Sequence, residues 1–187
     1  MTTSSSSRVP LVTSRDQMAP ESRKFFDVVA SGYGGKVKAG PWAVMLHSPD
    51  LASRVATTGD YVRFKTTLPK DVYELTVLTA TRELDCQYAW TIHNRTARDS
   101  GVRPGAIEAI RSKKAPAGLT KDEALVVTYV QQLLRKHRVS EETFKAALKK
   151  FGLRGLVDLN VTVGHYGTLA CVLNAFEVEP ENPDLPV

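Results

Sequence analysis

The sequence predicts an all-α fold of eight or nine helices, and three observations lead to this prediction. Apolar residues recur at helical spacing, as at Val72, Leu75 and Leu78, which would face a core. Prolines, capping residues and glycines stand where such segments would begin and end. No segment shows the sustained alternation of apolar and polar residues, bounded by turn signals, that is typical of a half-buried strand.

Local signals place the helices along the chain. Pro49, Pro69 and Pro104 each suit a first helical turn. The stretch from Thr120 to Glu123 matches a capping box, and Gly101 is a typical stop signal. The predicted helices cover residues 21–30, 49–64, 69–84, 86–99, 104–111, 120–137, 140–152 and 155–176, with a short apolar segment at 42–47.

The chain of 187 residues is long enough for one domain with a substantial core. Residues 1–19 are rich in Ser and Thr with little apolar pattern, which predicts a flexible N-terminal arm. Residues 20–179 form the single predicted domain. Residues 180–187 contain three prolines and are predicted to be an extended tail.

The charge balance is mildly basic, with 25 basic and 20 acidic side chains and a formal net charge of +5. The basic residues are spread along the chain. A continuous basic face with interleaved aromatic residues, as nucleic-acid binding would require, is not visible in the sequence. The sequence therefore predicts no nucleic-acid partner, and the positive balance suits a small anionic organic substrate.

Cysteine usage and hydropathy favour a cytoplasmic protein. Cys86 and Cys171 are too few for a disulfide framework and fit a reducing compartment. Residues 1–7 are polar and lack the apolar core of a signal peptide. Residues 155–176 approach membrane-spanning length, but they contain Asp, His and Asn side chains. We expect them to form a buried helix of a soluble protein, with no membrane partner.

Glu74, Cys86, Ala89 and His93 stand at spacings that suit two packed helices sharing one site. Cys86 and His93 are seven residues apart, and Ala89 lies one turn before His93, so all three share a face. A carboxylate beside an imidazole fixes its tautomer and raises its basicity. A cysteine at a helix N-terminus next to an imidazole ionises more easily. Glu74, Cys86 and His93 are therefore candidate catalytic residues, with satisfied core packing as the alternative.

This segment resembles the core motif of the carboxymuconolactone decarboxylase family, which includes the AhpD-like alkylhydroperoxidases. In that family a Glu precedes a Cys-x-x-Cys-x-x-x-His run by about a dozen residues, and Glu74, Cys86 and His93 stand in those places. Residues 88–101 also resemble the decarboxylase-type signature Y-E-W-x-x-H-x-x-x-A-x-x-x-G, with Ala89 in the second position. Similar stretches at 40–51 and 156–176 extend the match over most of residues 20–180.

Ala89 departs from the family pattern because it occupies the place of the second cysteine. In the hydroperoxidase members the two thiols cycle between dithiol and disulfide. Cys86 has no such neighbouring thiol here. Cys171 lies on a different predicted helix, and the two would pair only with Cα atoms within roughly 7 Å.

The resemblance implies an AhpD-like helical bundle that works without a cofactor and assembles as a homo-oligomer, a trimer or hexamer. The leading interpretation is a lyase of the decarboxylase-like branch, acting on a small carboxylated, lactone-type substrate, with His93 as acid or base and Glu74 orienting it. One alternative is a thiol-dependent (hydro)peroxidase of peroxiredoxin type, with Cys86 as its single active-site thiol. Another is a non-catalytic oligomeric module that binds a small molecule.

Five further residues are candidate substrate-binding groups. Arg82 or His47 would hold a substrate carboxylate, with a surface salt bridge and a capping role as their respective alternatives. Trp42 and Trp90 would wall an apolar cavity or belong to the core. Tyr166 lies on the most apolar helix, where a buried hydroxyl needs a partner. No cluster of Cys, His, Asp and Glu has the spacing of a metal site, so no metal is predicted.

Overall fold

The computed structural model describes residues 7–114 and 116–181, and over these ranges the chain is helical with no strand. Two short 3-10 helices, Arg15–Gln17 and Pro20–Ser22, precede the first α-helix. The α-helices are α1 (Arg23–Ser31), α2 (Pro41–Met45), α3 (Pro49–Phe64), α4 (Lys70–Glu83), α5 (Gln87–Asp99), α6 (Pro104–Arg111), α7 (Lys121–Lys136) and α8 (Glu141–Ala175). The prediction of an all-α fold is confirmed.

The helices begin where the sequence supplies a start signal. Proline occupies the first turn of α2, α3 and α6, where its missing N–H is not needed. The Thr120 hydroxyl accepts from Glu123 N at 3.3 Å, and the Glu123 carboxylate accepts from Thr120 N at 2.7 Å, which completes the capping box of α7. Ser140 accepts from Thr143 N and caps α8 in the same way.

Gly152 lies at a break within the long C-terminal helix. The sequence predicts one helix ending at this glycine and another beginning shortly after it. The structure joins the two as α8, with non-helical backbone at Gly152, where φ is 67° and ψ is 173°. Glycine adopts a positive φ without the penalty of a Cβ atom, so it bends the helix at this residue.

Helix α4 lies at the centre of the fold and packs against α5, α6, α7 and α8. All nine residues from Tyr73 to Thr81 are buried. The hydroxyls of Thr76 and Thr79 donate to the backbone carbonyls four residues earlier, at 2.8 and 2.7 Å, so these buried polar groups are satisfied. The consequence is that Glu74, in the second turn, is carried into the interior.

The expectation of a flexible arm over residues 1–19 is wrong for residues 7–19. Val12 and Met18 are buried, and Val12 N donates to Ala43 O at 2.9 Å. Arg8 N donates to Phe176 O at 2.9 Å. The few apolar side chains of this polar segment are enough to dock it on the helices. Residues 1–6 of the predicted arm and residues 182–187 of the predicted tail lie outside the described ranges.

Helix α8 is long and apolar enough to cross a membrane by length and composition. However, 56% of its most apolar window is buried inside the protein. Core helices of soluble proteins pass the same test, and the burial of Leu156, Leu159, Val163 and Leu173 against the other helices is what a core helix shows. The chain therefore looks like a soluble helical domain.

Candidate active site

Glu74 and His93 meet across the helical hairpin formed by α4 and α5. The turn between these helices is tight, with Asp85 at a φ of 47° and Cys86 N donating to Thr81 O at 2.9 Å. The Glu74 Oε2 atom lies 2.8 Å from His93 Nδ1, and the side chains are 6% and 11% exposed. The structure therefore contains the predicted pair of an acid and an imidazole in one interior site.

The hydrogen bonds around this pair assign the imidazole tautomer. A carboxylate accepts, so Nδ1 carries the proton that His93 donates to Glu74. Thr96 Oγ1 also donates to Glu74 Oε2, at 3.2 Å. His93 Nε2 is then the acceptor, and the Tyr166 hydroxyl lies 3.0 Å from it. Both ring nitrogens are thus engaged, and the basic one is covered by a phenol.

Two tyrosines extend the network beyond His93. Tyr73 Oη lies 2.6 Å from Tyr166 Oη, so when Tyr166 donates to His93 it accepts from Tyr73. Burial raises the pKa of both phenols, and each therefore stays protonated at neutral pH. The order of donation is Tyr73 to Tyr166 to His93 to Glu74, a continuous path for a proton between α4, α5 and α8.

A cavity of about 270 Å³ opens beside this network. Its walls are mostly apolar and aromatic, and they come from the segment before α2, from α2 to α5 and from α8. The lining residues are Tyr33, Lys38, Gly40, Pro41, Trp42, Arg63, Glu74, Tyr88, Ala89, Ile92, His93, Thr96, His165, Tyr166, Leu169 and Leu173. Mostly apolar walls with a few convergent polar groups are typical of small-molecule sites.

His165 is a second imidazole in the cavity wall. Its ring lies edge-on to Tyr166 with centroids 5.5 Å apart, and a Cβ atom at Gly59 would come within 3.0 Å of its Nε2. Gly59 therefore makes room for the ring. Burial, with the charges of Arg63 and His93 added, lowers the pKa of His165 to about 4. This imidazole is neutral at physiological pH.

Cys86 does not line the cavity, although Ala89 does. Cys86 is fully buried at the N-cap of α5. Burial raises the pKa of its thiol to about 11, partly offset by a hydrogen bond from the Ala89 backbone. The thiol is therefore not acidified as the sequence led us to expect, because desolvation outweighs the hydrogen bond from the Ala89 backbone. Cys86 and Cys171 are free thiols, and Cys171 is exposed.

Trp42 and Tyr166 line the cavity as predicted, but Trp90 does not. Trp90 is fully buried among Leu75 and Leu78 in the part of the core between α4, α5, α6 and α7. It precedes His93 by three residues on α5, but its side chain packs into this part of the core and does not reach the cavity. The structure therefore places Trp90 in the core, which is the alternative that the sequence offered for it.

His47 and Arg82 are also placed away from the cavity. His47 is exposed, and its Nε2 hydrogen-bonds Pro10 O at 2.7 Å. Arg82 donates from Nε to Arg111 O at 2.7 Å and pairs with Asp85 at 2.6 Å. Eight residues separate it from Glu74, which turns its side chain about 80° away around the helix. The structure places neither side chain where it could hold a carboxylate in this cavity.

Sequence reasoning missed several residues of the site. Thr96 follows His93 by three residues, so helical spacing alone would have placed it on the same face. Tyr73 and Arg63 carry no comparable signal, because their positions depend on how α3, α4 and α8 pack together. Among the described residues, no three His, Cys, Asp or Glu side chains converge as a metal ion would require.

Helices α4 and α5, in which the acid and the imidazole meet, lie within a segment that matches a known protein family. The model of the carboxymuconolactone decarboxylase family matches residues 49–132, which contain both helices. This match confirms the resemblance to that family seen in the sequence. No protein of curated function matches the sequence.

Solved structures share the fold across nearly the whole chain. The AhpD core of an uncharacterized peroxidase-related protein from Ralstonia eutropha JMP134 superposes with a TM-score of 0.73, at 18% identity over 93% of this chain and 92% of the other. The debrominase Bmp8 in complex with 2,3,4-tribromopyrrole gives 0.71, at 14% identity over 93% of each chain. A peroxidase-related protein from Silicibacter sp. TM1040 gives 0.69, at 15% identity over 91% and 92%. At these identities the likeness establishes the fold.

Proposed function

We propose that the protein is a carboxymuconolactone decarboxylase-like lyase that acts without a cofactor on a small carboxylated, lactone-type substrate. The observation that carries this proposal is the network at the cavity wall, in which Glu74 holds His93 Nδ1 and Tyr166 covers Nε2. A histidine oriented by a carboxylate is a general acid or base suited to neutral pH.

The reaction consists of one bond broken and one proton added. The bond between a substrate carbon and its carboxylate breaks, CO2 leaves, and the electron pair moves into a conjugated carbonyl to form a dienolate. His93, which accepts at Nε2 in the resting tautomer, first takes up a proton there. The imidazolium then donates from Nε2 to the Tyr166 oxygen while the Tyr166 hydroxyl delivers its proton to the dienolate. Glu74 stabilises the imidazolium before the transfer, and His93 regains its proton from water.

The cavity walls favour loss of the carboxylate. Apolar and aromatic side chains such as Trp42, Leu169 and Leu173 line the cavity and hydrate a carboxylate poorly. Charge that is localised on the carboxylate spreads into the conjugated system as CO2 forms, so poor hydration raises the energy of the ground state more than that of the transition state. Protonated phenols such as Tyr166 are donors for the oxygen on which charge develops.

The peroxidase alternative has weaker support. It needs an accessible thiol that ionises near neutral pH. Cys86 is fully buried, lies off the cavity, and has a pKa raised to about 11. The cavity wall carries Ala89 where a second thiol would stand.

We further propose a homo-oligomer, a trimer or hexamer, in the cytoplasm. Leu153, Val157 and Val161 follow one another at four-residue spacing on α8 and are 70%, 53% and 41% exposed. Contiguous exposed apolar residues are typical of interaction surfaces. A subunit interface along this part of α8 would bury them.

The test is CO2 release from a panel of carboxylactones by the wild-type protein, His93→Ala and His47→Ala. We expect His93→Ala to reduce kcat by about 100- to 10,000-fold. His47→Ala is the matched control, because it removes an exposed imidazole that lies off the cavity. Equal turnover by wild type and His93→Ala would remove His93 from the chemistry. Saturable binding without turnover across the panel would favour the non-catalytic binding module.

A further inference from the structure

Arg63 is a cation in the wall of the cavity. It lies in the last turn of α3 and is half-buried. Its guanidinium carbon is 5.3 Å from the centre of the Tyr33 ring and 5.0 Å from that of Phe64. Contacts between a guanidinium and aromatic faces are attractive and fix the plane of the group. The aromatic rings therefore hold Arg63 in place beside the cavity.

No carboxylate in the described part of the chain forms an ion pair with Arg63, in contrast with Arg103 and Arg135, which pair with acids. The acid one turn earlier on α3, Asp60, lies against Gly32. Glu74 is the only acid among the described residues that line the cavity, and His93 and Thr96 already bond it. Arg63 thus presents its charge to the cavity without an acidic partner.

A half-buried cation without a counterion is unfavourable, and an anion bound beside it relieves that cost. The guanidinium offers parallel N–H donors that match the two oxygens of a carboxylate. The surrounding walls supply apolar surface from Trp42 and Leu169. His165 does not compete for an anion, because it is neutral near pH 7. The site therefore combines one fixed cation with space for an apolar ring.

We propose that Arg63 is the anion-binding residue of this cavity and that it takes the carboxylate of a small, apolar ring acid. Within the proposed lyase, on which this further step rests, Arg63 holds a carboxylate that the substrate retains. A cation bound to the departing carboxylate would stabilise the ground state more than the transition state, because CO2 is neutral.

The experiment measures binding of benzoate and of its neutral isostere benzamide by calorimetry. The variants are Arg63→Gln, Lys38→Gln and His93→Ala. We expect wild type to prefer benzoate, and Arg63→Gln to weaken benzoate binding by about 10- to 100-fold while benzamide binding stays constant. Lys38 is the matched control, because it is an exposed lysine on the same cavity. Its replacement should change benzoate binding by less than about threefold.

Two further arms keep the result interpretable. Arg63→Lys retains a point charge but loses the planar fork, so it should restore part of the preference and shows whether Arg63→Gln has merely perturbed the fold. His93→Ala should still prefer benzoate, which separates anion binding from turnover. If Arg63 sets the preference for benzoate but no carboxylactone is decarboxylated, the result supports the anion-binding site and rejects the proposed lyase activity. No preference for benzoate in wild type, or a preference that survives in Arg63→Gln, overturns the proposal.

Discussion

Glu74 and Asp158 are both buried acids, at 4% and 5% exposure, yet their surroundings differ in kind. Glu74 bonds a titratable imidazole beside a cavity. Asp158 Oδ2 accepts from Thr67 N at 2.7 Å and from the hydroxyls of Thr67 and Thr66 at 2.8 and 3.2 Å. None of these donors titrates in the physiological range. The comparison shows that burial alone does not identify a catalytic acid, because the partner and the adjoining space decide its role.

Of the two buried acids, Glu74 should have the larger effect on turnover when it is changed to Gln. The amide keeps the shape of the side chain but cannot stabilise an imidazolium on His93. We expect kcat for CO2 release to fall by about 100-fold or more, and the thermal midpoint to change little. The measurement is the pH–rate profile together with a melting curve. Thr96→Val is the control, because it removes a neutral donor to the same carboxylate and should lower kcat much less. Unchanged turnover in Glu74→Gln would show that Glu74, like Asp158, has only a structural role.

Asp158→Asn should lower the stability of the fold and leave turnover unchanged. The carboxylate ties the segment between α3 and α4 to α8 through three hydrogen bonds, and the amide forms weaker ones. We expect the free energy of unfolding to fall by about 2 kcal/mol. Turnover per folded molecule should be unchanged, since Asp158 lies off the cavity. Urea unfolding and active-site titration check the two parts, and a loss of kcat at full folding would contradict the structural role.

The contribution of Asp158 to the free energy of unfolding should depend on pH. The hydrogen bonds to its carboxylate set the direction of this dependence. Burial acts to raise the pKa of Asp158, but the donors at Thr67 and Thr66 prevail and hold it below its ordinary value of 3.8. A lowered folded-state pKa contributes stability above the unfolded value, which is lost as the pH falls through the folded value. The difference in unfolding free energy between wild type and Asp158→Asn should therefore be at its maximum above about pH 5 and decrease below about pH 4.

Most of the fold was predictable because the signals are local. The capping box at Thr120 and the proline at Pro49 act within one turn, and both helices begin where these residues indicate. Gly152 shows the limit of such signals. The glycine marks the break between two predicted helices, but it does not show that they join as the single element α8. The docking of residues 7–19 was missed because it depends on Val12 and Met18 finding distant partners.

The same distinction between local signals and tertiary packing applies to the residues of the site. Glu74 and His93 were predictable because two neighbouring helices with a short turn present matching faces. Arg63 was not, because α3 is distant in sequence from α5 and its approach to the cavity depends on tertiary packing. Arg82 was misplaced by overlooking helical rotation, and Cys86 by weighing helix and imidazole effects without desolvation. Residue type and spacing predict which groups share a helix face, whereas burial decides their chemistry.

A variant of Cys86 should have the smallest effect when stability and turnover are taken together. The two cysteines repeat the contrast between a buried group and an accessible one. Cys171 is exposed, whereas Cys86 is fully buried with a pKa near 11. Iodoacetamide at pH 8 should therefore alkylate Cys171 in the folded protein and reach Cys86 only after unfolding. Cys86→Ala should change kcat by less than about twofold, because the thiol lies off the cavity.

Mass spectrometry of the alkylated protein, with Cys171→Ser as the control, locates the modification. Alkylation of Cys86 in the folded protein at pH 8, accompanied by loss of turnover, would show that the thiol opens to solvent and takes part in the reaction. The chemistry would then belong to the thiol-dependent alternative, and the Glu74–His93 pair would serve as the base for that thiol. Protection of Cys86 with turnover intact leaves the imidazole network as the reactive centre, because no other described group lining the cavity combines a basic nitrogen with an orienting carboxylate.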